Sequence, residues 1–476
     1  MAATATQRRL LLGGEWIETG EWIDVTSPYS GDVVGRVPKA GAAEARRAVD
    51  AAAAAMADPI PAHERAAILD RVAALLRERH DDVARTICEE AGKPMKAARV
   101  EAQRAVSTYT FAAVEARGLS GHVVPMDASQ AGDGKLAFTL RLPLGVVGAI
   151  SPFNFPLNLV AHKLAPALAA GCAVVLKPAT ATPLSALLLA ELETEAGLPP
   201  GWLNVLVGPA SELGDVLVED ARVAALTFTG SGPVGWRLAE RAPKKRVALE
   251  LGNATPVIVT ADADVDAAAA KCAANAFSFA GQSCISVQRV YVEGDAYDRF
   301  LEAMLPQVEA LKVGDPADEE VDVGPVIDEE SRERILAWIE EARAGGAEIL
   351  TGGEATPEGL IRPTVIAGAG PDLKVSCEEV FGPVVTVSRV ADLDEAIERA
   401  NATRYGLQAG VFTGSVSSAL AAAARLEFGG VIVNEAPTFR ADQMPYGGVK
   451  DSGNTREGPA YAVRELTEER LVVVQL

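Results

Sequence analysis

From residue 145 onward, short apolar runs alternate with longer stretches in which apolar residues recur every three or four positions. The runs at 146–150, 173–176, 203–207, 224–228 and 246–251 predict buried strands, and the intervening periodicity predicts helices near 156–170, 183–197, 211–219 and 233–242. Strands kept apart by helices pair in parallel, so this stretch predicts a doubly wound sheet. A second alternation follows. Strands are expected at 257–259, 289–292, 362–365, 384–389, 409–413 and 430–434, with helices near 264–278, 295–312, 329–344, 392–402 and 416–427. The fold class is therefore α/β, with two doubly wound domains.

The flanks read differently. Residues 14–38 mix short apolar runs with the turn residues Gly14, Gly20, Ser27-Pro28 and Gly31, which predicts a β-hairpin or small meander. From 42 to about 117 the chain turns to long alanine-rich helices, and Ile68, Val72, Leu75 and Leu76 form one packing face. At 118–144 two apolar segments flank a Gly/Asp/Ser loop, a hairpin protruding between the α/β stretches. The last strand, 471–476, has no local partner in the pattern; such a strand pairs with another element or with another subunit.

A chain of 476 residues supports two or three domains. Its net charge of -21 argues against a nucleic-acid or anionic-membrane surface, which needs clustered Lys and Arg. The most apolar run, 164–176, contains Pro166 and Gly171 and is shorter than the roughly 20 residues of a membrane span. Neither a leader peptide nor a metal-ligand spacing among His63, His80, His122 and His162 is visible, so no metal is expected. Five unevenly spaced cysteines do not form a disulfide framework and fit a reducing cytoplasm.

Four of those cysteines, Cys88, Cys172, Cys272 and Cys377, read as small core residues. Cys284 stands apart in the polar, glycine-led segment Gly281-Gln282-Ser283-Cys284, where a thiolate is positioned to attack a carbonyl. The segment 227–235 follows a strand and opens a helix. Gly230, Gly232 and Gly235 spell a dinucleotide fingerprint there, with Glu250 as the matching ribose acid. Glu250 also reads as a general base, its pKa raised by a dry strand end, or as a helix cap. Asn154, after the strand 146–150, is either an oxyanion donor or an N-cap. Lys177, after the next strand, is either a ribose or phosphate ligand or a solvated lysine.

Together these stretches resemble the aldehyde dehydrogenase superfamily, in its NAD(P)-dependent hydrolytic branch. The motifs run in the family's order: Pro152-Phe153-Asn154-Phe155-Pro156, Lys177-Pro178, Phe228-Thr229-Gly230-Ser231, Glu250-Leu251-Gly252, Gly281-Gln282-Ser283-Cys284, Glu378-Glu379-Val380-Phe381-Gly382-Pro383 and Pro445-Tyr446-Gly447-Gly448. The resemblance implies Cys284 as nucleophile, Asn154 with the Cys284 N–H as oxyanion hole, and Glu250 as the base for the deacylating water. It implies NAD or NADP as cofactor. Lys177 and Glu379 would hold the riboses, Phe381 would lie near the nicotinamide, and Ser231 would contact the pyrophosphate. Ser151, Pro152, Phe153, Ala179, Thr180, Gly230, Leu251 and Gly252 would complete the cofactor groove, and Gly232 would be incidental.

The implied substrate pocket is Phe155, Asn158, His162, Ser283, Ile285, Phe439 and Tyr446, with Arg440 nearby. That set is polar, which points to a short polar aldehyde, a hydroxyaldehyde such as lactaldehyde or a semialdehyde, oxidised to its acid. Two positions depart from the family: Asn253 replaces a glycine, and Thr180 stands where many NAD-specific members carry a glutamate, so a 2′-phosphate is not repelled. The implied domains are 1–117 with 145–250 for the dinucleotide and 251–454 for catalysis. The segments 118–144 and 455–476 would be an oligomerisation element of a homodimer or homotetramer, with the terminal strand pairing across subunits. The rival readings are a CoA-acylating dehydrogenase, which generally lacks the Glu250-type base, and a silent binding protein on the same fold.

Overall fold

The computed structural model describes residues 6–476. The first five residues of the expected first domain, and with them the start of the segment read for a leader, lie outside the described residues.

Two seven-stranded sheets organise the chain. The first has the order Arg246–Glu250, Val223–Thr229, Val146–Ile150, Val174–Lys177, Leu203–Val205, Leu10–Leu12 and Glu15–Ile17. The strands after residue 145 are parallel and joined by helices, as their spacing predicts. The N-terminal region divides where a single meander was expected. Leu10–Leu12 and Glu15–Ile17 extend the large sheet antiparallel, while Trp22–Thr26 and Val33–Pro38 form a small sheet with Thr6–Gln7. Burial explains the split: every residue of Leu10–Leu12 is buried, whereas Trp22–Thr26 buries only Val25.

The second sheet runs Glu348–Thr351, Thr364–Ala367, Val384–Val390, Arg289–Glu293, Pro256–Val259, Gln408–Phe412 and Gly430–Val433. All pairings are parallel except that of the edge strand Glu348–Thr351, which the sequence pattern did not expose. The strand expected at 362–365 begins only at Thr364, because Pro363 has no N–H to give to a ladder. Separate apolar cores fill the two units, one built largely from residues 10–242 and the other from residues 257–412.

A three-stranded sheet of Thr467–Gln475, Lys135–Pro143 and Val123–Val124 stands apart from both. The terminal strand was expected to lack a local partner. It has one in its own chain, pairing antiparallel from Thr467 opposite Pro143 to Gln475 opposite Lys135, and it forms the edge of this sheet. The helix Pro459–Glu465 packs against the helix Met95–Gly118 and carries the chain back, and Leu144 N–H donates to the Leu466 carbonyl at 3.0 Å. Leu136, Leu140, Leu471, Val473 and Val474 remain exposed on this sheet.

Candidate active site

The segment before Cys284 is bent into an unusual shape. The helix Val265–Phe277 ends, and Phe279, Ala280 and Gly281 follow with φ of 50°, 52° and 70°. This is the left-handed region, costly for a side chain with a Cβ. At Gly281 a Cβ would lie 2.0 Å from the Gly382 carbonyl oxygen, so only glycine fits. The Gln282 side chain pins the bend, donating to the Phe279 and Pro325 carbonyls and accepting from Ile327 N–H. Cys284 then points into a cavity of about 340 Å³, at the small end of the range for small-molecule sites. Burial pushes its thiol up to about 12, with Glu379 and Glu250 adding to the rise, while hydrogen bonding with Tyr446 and the charge of Arg440 pull the other way.

Asn154 lies beside this bend. Its Nδ2 donates to the Gln282 carbonyl at 3.0 Å, one of the two donors an amide carries. The backbone N–H of Cys284 donates to no group among the described residues. The turn that holds Asn154 is itself held from below by the helix Met95–Gly118. Lys93 Nζ donates to the Asn154 carbonyl at 2.7 Å and lies 3.7 Å from the Phe155 ring centroid. Glu101, paired with Lys93, accepts from the N–H groups of Leu157 and Asn158 at 2.9 and 3.1 Å.

Glu250 ends its strand in a dry environment. It is 4% exposed, and its Oε1 has no hydrogen-bond partner. A Cβ on Gly447 would come within 2.6 Å of that oxygen, so this glycine keeps the carboxylate's space open. Burial, then the neighbouring Glu457, raise its pKa well above the ordinary carboxylate range, against the pull of Arg440, Lys163 and Arg456. Neither Glu250 nor Asn154 lines the cavity wall; both stand just behind the segments that carry Cys284 and Tyr446.

The residues read as the cofactor groove cluster at the C-terminal ends of adjacent parallel strands. Ser151, Lys177, Gly230 and Leu251 each follow or end one of the four neighbours Val146–Ile150, Val174–Lys177, Val223–Thr229 and Arg246–Glu250. Ser151 Oγ is buried without a partner, and buried Lys177 spends one bond on the Pro178 carbonyl at 3.0 Å. Burial lowers the Lys177 ammonium to about 8. A Cβ on Gly252 would strike Glu379 Oε2 at 2.4 Å, and Glu379 accepts from Asn253 N–H at 3.0 Å. Phe153 meets Phe381 edge to face at 5.7 Å, and Ser231 stands at the N-cap position of the helix Gly232–Arg241 with no side-chain cap bond. Gly235 lets that helix close on the sheet, since a Cβ there would meet Leu251 at 2.5 Å. Gly232 has no heavy atom nearer than 3.8 Å to such a Cβ, so it makes no close approach. Ala179 and Thr180 are at the open end, with no carboxylate at 180. Unspent polar groups and a glycine cradle at strand ends fit a dinucleotide.

The sequence profile described as "Aldehyde dehydrogenase family" matches residues 16–472. The chain belongs to the aldehyde dehydrogenase family. It is 43% identical over 470 residues to a 3-sulfolactaldehyde dehydrogenase of Priestia megaterium, covering 99% of this chain and 98% of the relative. It is 39% identical over 478 residues to an NADP(+) succinate-semialdehyde dehydrogenase of Escherichia coli, covering 99% and 98%. The crystal structure of aldehyde dehydrogenase 21 from Physcomitrella patens, in complex with the reaction product succinate, superposes with a TM-score of 0.96 at 41% identity, covering 99% of each chain. As a family member the protein oxidises an aldehyde to its acid with NAD or NADP.

Within this aldehyde dehydrogenase the pocket expectations separate cleanly. Phe155, Asn158, Ser283, Ile285, Phe439 and Tyr446 line the cavity with Cys284. His162 does not. It lies one layer behind, its Nε2 3.0 Å from Asp442 Oδ1 and 3.3 Å from Thr108 Oγ1. The helix Asn158–Ala170 is buried at every position, so a residue one turn past Asn158 meets the helix Met95–Gly118 and not the cleft. Burial, then the charge of Arg440, lower the His162 pKa, which keeps the ring neutral.

Arg440, expected near the pocket, lines the cavity and donates to Glu457 at 2.8 Å. Other residues were missed. Arg104 lines the cavity and donates to Asp442 Oδ1 at 3.0 Å. Lys163 Nζ donates to Thr229 Oγ1 at 2.6 Å and lies 3.7 Å from Glu457. One signal was available: Glu101, Arg104 and Thr108, at i, i+3 and i+7, form a polar stripe on an otherwise alanine-rich helix.

Proposed function

We propose that the protein oxidises a short polar aldehyde, of the hydroxyaldehyde or semialdehyde kind, through a covalent bond to Cys284. The observation that carries this reading is the cavity itself. Cys284 shares its wall with two guanidinium groups, Arg104 and Arg440, whose neutralising carboxylates Asp442 and Glu457 stand behind the wall. Burial alone would raise Asp442, but the hydrogen bond from His162 and the charge of Arg104 hold it well below the ordinary carboxylate range. It stays an anion and keeps Arg104 in place. Arg104 Nη1 makes no hydrogen bond among the described residues, and the buried Arg440 Nε has none either. The free Arg104 donor suits an oxyacid or hydroxyl oxygen at the far end of a short aldehyde.

In this reading Cys284 thiolate attacks the carbonyl carbon to give a thiohemiacetal. Asn154 Nδ2 and the Cys284 N–H hold the oxyanion, a contribution of roughly 3–4 kcal/mol per donor. NAD(P)+, when bound, would supply the hydride acceptor for the thiohemiacetal carbon, which would leave a thioester on Cys284. Glu250 takes a proton from water, which attacks the thioester and releases the acid. Ser151, Lys177, Ser231 and Glu379 would hold the cofactor. Exposed Thr180 carries no charge to repel a 2′-phosphate.

The test follows NAD(P)H formation with anionic aldehydes, such as succinate semialdehyde and 3-sulfolactaldehyde, and with lactaldehyde, against pentanal and benzaldehyde. Arg104→Ala raises KM for the anionic aldehydes roughly 10- to 100-fold, the loss of a charge-assisted hydrogen bond, and leaves pentanal and benzaldehyde unaffected. Equal changes for charged and neutral aldehydes would remove Arg104 from the reading. The exposed apolar residues of the three-stranded sheet support the assignment of 118–144 and 455–476 to subunit contacts. Sedimentation velocity at micromolar concentration is expected to give a homodimer or homotetramer, and a monomer would refute it.

A further inference from the structure

Cys284 Sγ has one hydrogen-bond partner, and it is a phenol. Tyr446 Oη lies 2.9 Å from the sulfur, and that hydroxyl contacts no other polar group among the described residues. Ile285 and Leu407 pack around the pair and add nothing polar. Tyr446 is 3% exposed, so water does not compete freely for its hydroxyl. The Arg440 guanidinium sits 3.8 Å from the Tyr446 ring centroid, on the face of the ring. A cation there draws electron density from the ring and makes its O–H a stronger donor.

We propose that Tyr446 is a catalytic residue, whose hydroxyl donates a hydrogen bond to the Cys284 sulfur and stabilises the thiolate that attacks the aldehyde. This rests on Cys284 being the nucleophile. In the thiol state either atom can donate. Once the sulfur has lost its proton, only the phenol has one to give, so the bond becomes O–H to S⁻ and strengthens. The phenol keeps its proton throughout: burial raises Tyr446 well above the ordinary tyrosine range, with Cys284 adding to the rise. The other charged groups acting on Cys284 are Glu379 and Glu250, which oppose its ionisation, and Arg440, which favours it. Cys284 has no histidine partner, so this phenol performs part of the activation that an imidazolium performs elsewhere. When the carbon–sulfur bond forms, the sulfur loses its negative charge and the hydrogen bond weakens. Tyr446 therefore acts on thiolate formation and attack, and again on the Cys284 thiolate that leaves when water cleaves the thioester.

The experiment compares wild type with Tyr446→Phe. Iodoacetamide labelling of Cys284 is followed by mass spectrometry of its peptide from about pH 6 to pH 11. In the variant the labelling rate falls about three- to tenfold at every pH on this rising limb of the profile, the loss of one hydrogen bond to a charged acceptor partly offset because a more basic thiolate is a better nucleophile. The pre-steady-state burst slows by a similar factor, while KM stays near wild type. A second variant carries 3-fluorotyrosine at position 446, a stronger donor of nearly the same shape, and its labelling rate rises. Opposite changes in the two variants support the proposal; an unchanged labelling rate in either folded variant overturns it. If Cys284 is not labelled selectively in wild type, or Cys284→Ala retains turnover, the nucleophile assignment itself has failed, and that result is distinct from an unchanged rate.

Discussion

Replacing Cys284 with alanine abolishes aldehyde oxidation and leaves cofactor binding intact. Turnover falls by more than about 10⁴-fold, the scale on which loss of a covalent nucleophile is felt. The other four cysteines offer no substitute. Cys88, Cys172 and Cys272 are buried in apolar cores, and Cys377, partly exposed, does not line the cavity. Because Ser151, Lys177 and Glu379 lie on separate elements from Cys284, titration of NAD(P)H fluorescence should give the same Kd in mutant and wild type. Residual turnover above a hundredth of wild type would reject the covalent route. Loss of cofactor binding would instead mean that the bend at Phe279–Gly281 had collapsed.

Glu250→Gln is expected to separate the two halves of the reaction. The amide keeps the volume beside Gly447 but cannot accept a proton from water. A burst of NAD(P)H equal to the enzyme concentration remains, followed by a steady state slowed roughly 10²- to 10⁴-fold. The pH dependence carries its own sign. Burial and the charge of Glu457 raise the Glu250 pKa well above the ordinary range, so the fraction in the basic form grows as pH rises. The wild-type steady state therefore climbs with pH above the range where an ordinary carboxylate has finished titrating, and that limb is missing in the variant. A burst that disappears with the carboxylate would move Glu250 to the first half-reaction.

Much of this was readable in the chain because parallel strands and their ends leave strong local marks. The runs ending at Ile150 and Lys177 are buried almost throughout, those ending at Thr229 and Glu250 only in part, and the C-terminal ends of all four meet at one edge of the sheet. What escaped depends on where distant segments fold back. The strand Leu10–Leu12 looks like any short apolar run; only Leu203–Val205 tells it which sheet to join. His162 was placed in the cleft because every position of the helix Asn158–Ala170 is buried, so its periodicity does not say which side meets the cavity. The facing carboxylates come from Asp442 and Glu457, far along the chain, and no spacing links them to the helix Met95–Gly118.

The pairing of Thr467–Gln475 with Lys135–Pro143 also sets an order of events during synthesis. At ribosomal speeds of about 5–20 residues per second, the later strand emerges roughly 20 to 60 s after the earlier one. Through that interval Lys135–Pro143 has only Val123–Val124 beside it, and its other edge is open. The nascent chain thus carries an uncovered β-edge, bearing Leu136 and Leu140, until Thr467–Gln475 is made. A holdase that masks this edge, or slower initiation that keeps neighbouring nascent chains apart, would raise the yield of native protein without any change in the stability of the finished fold.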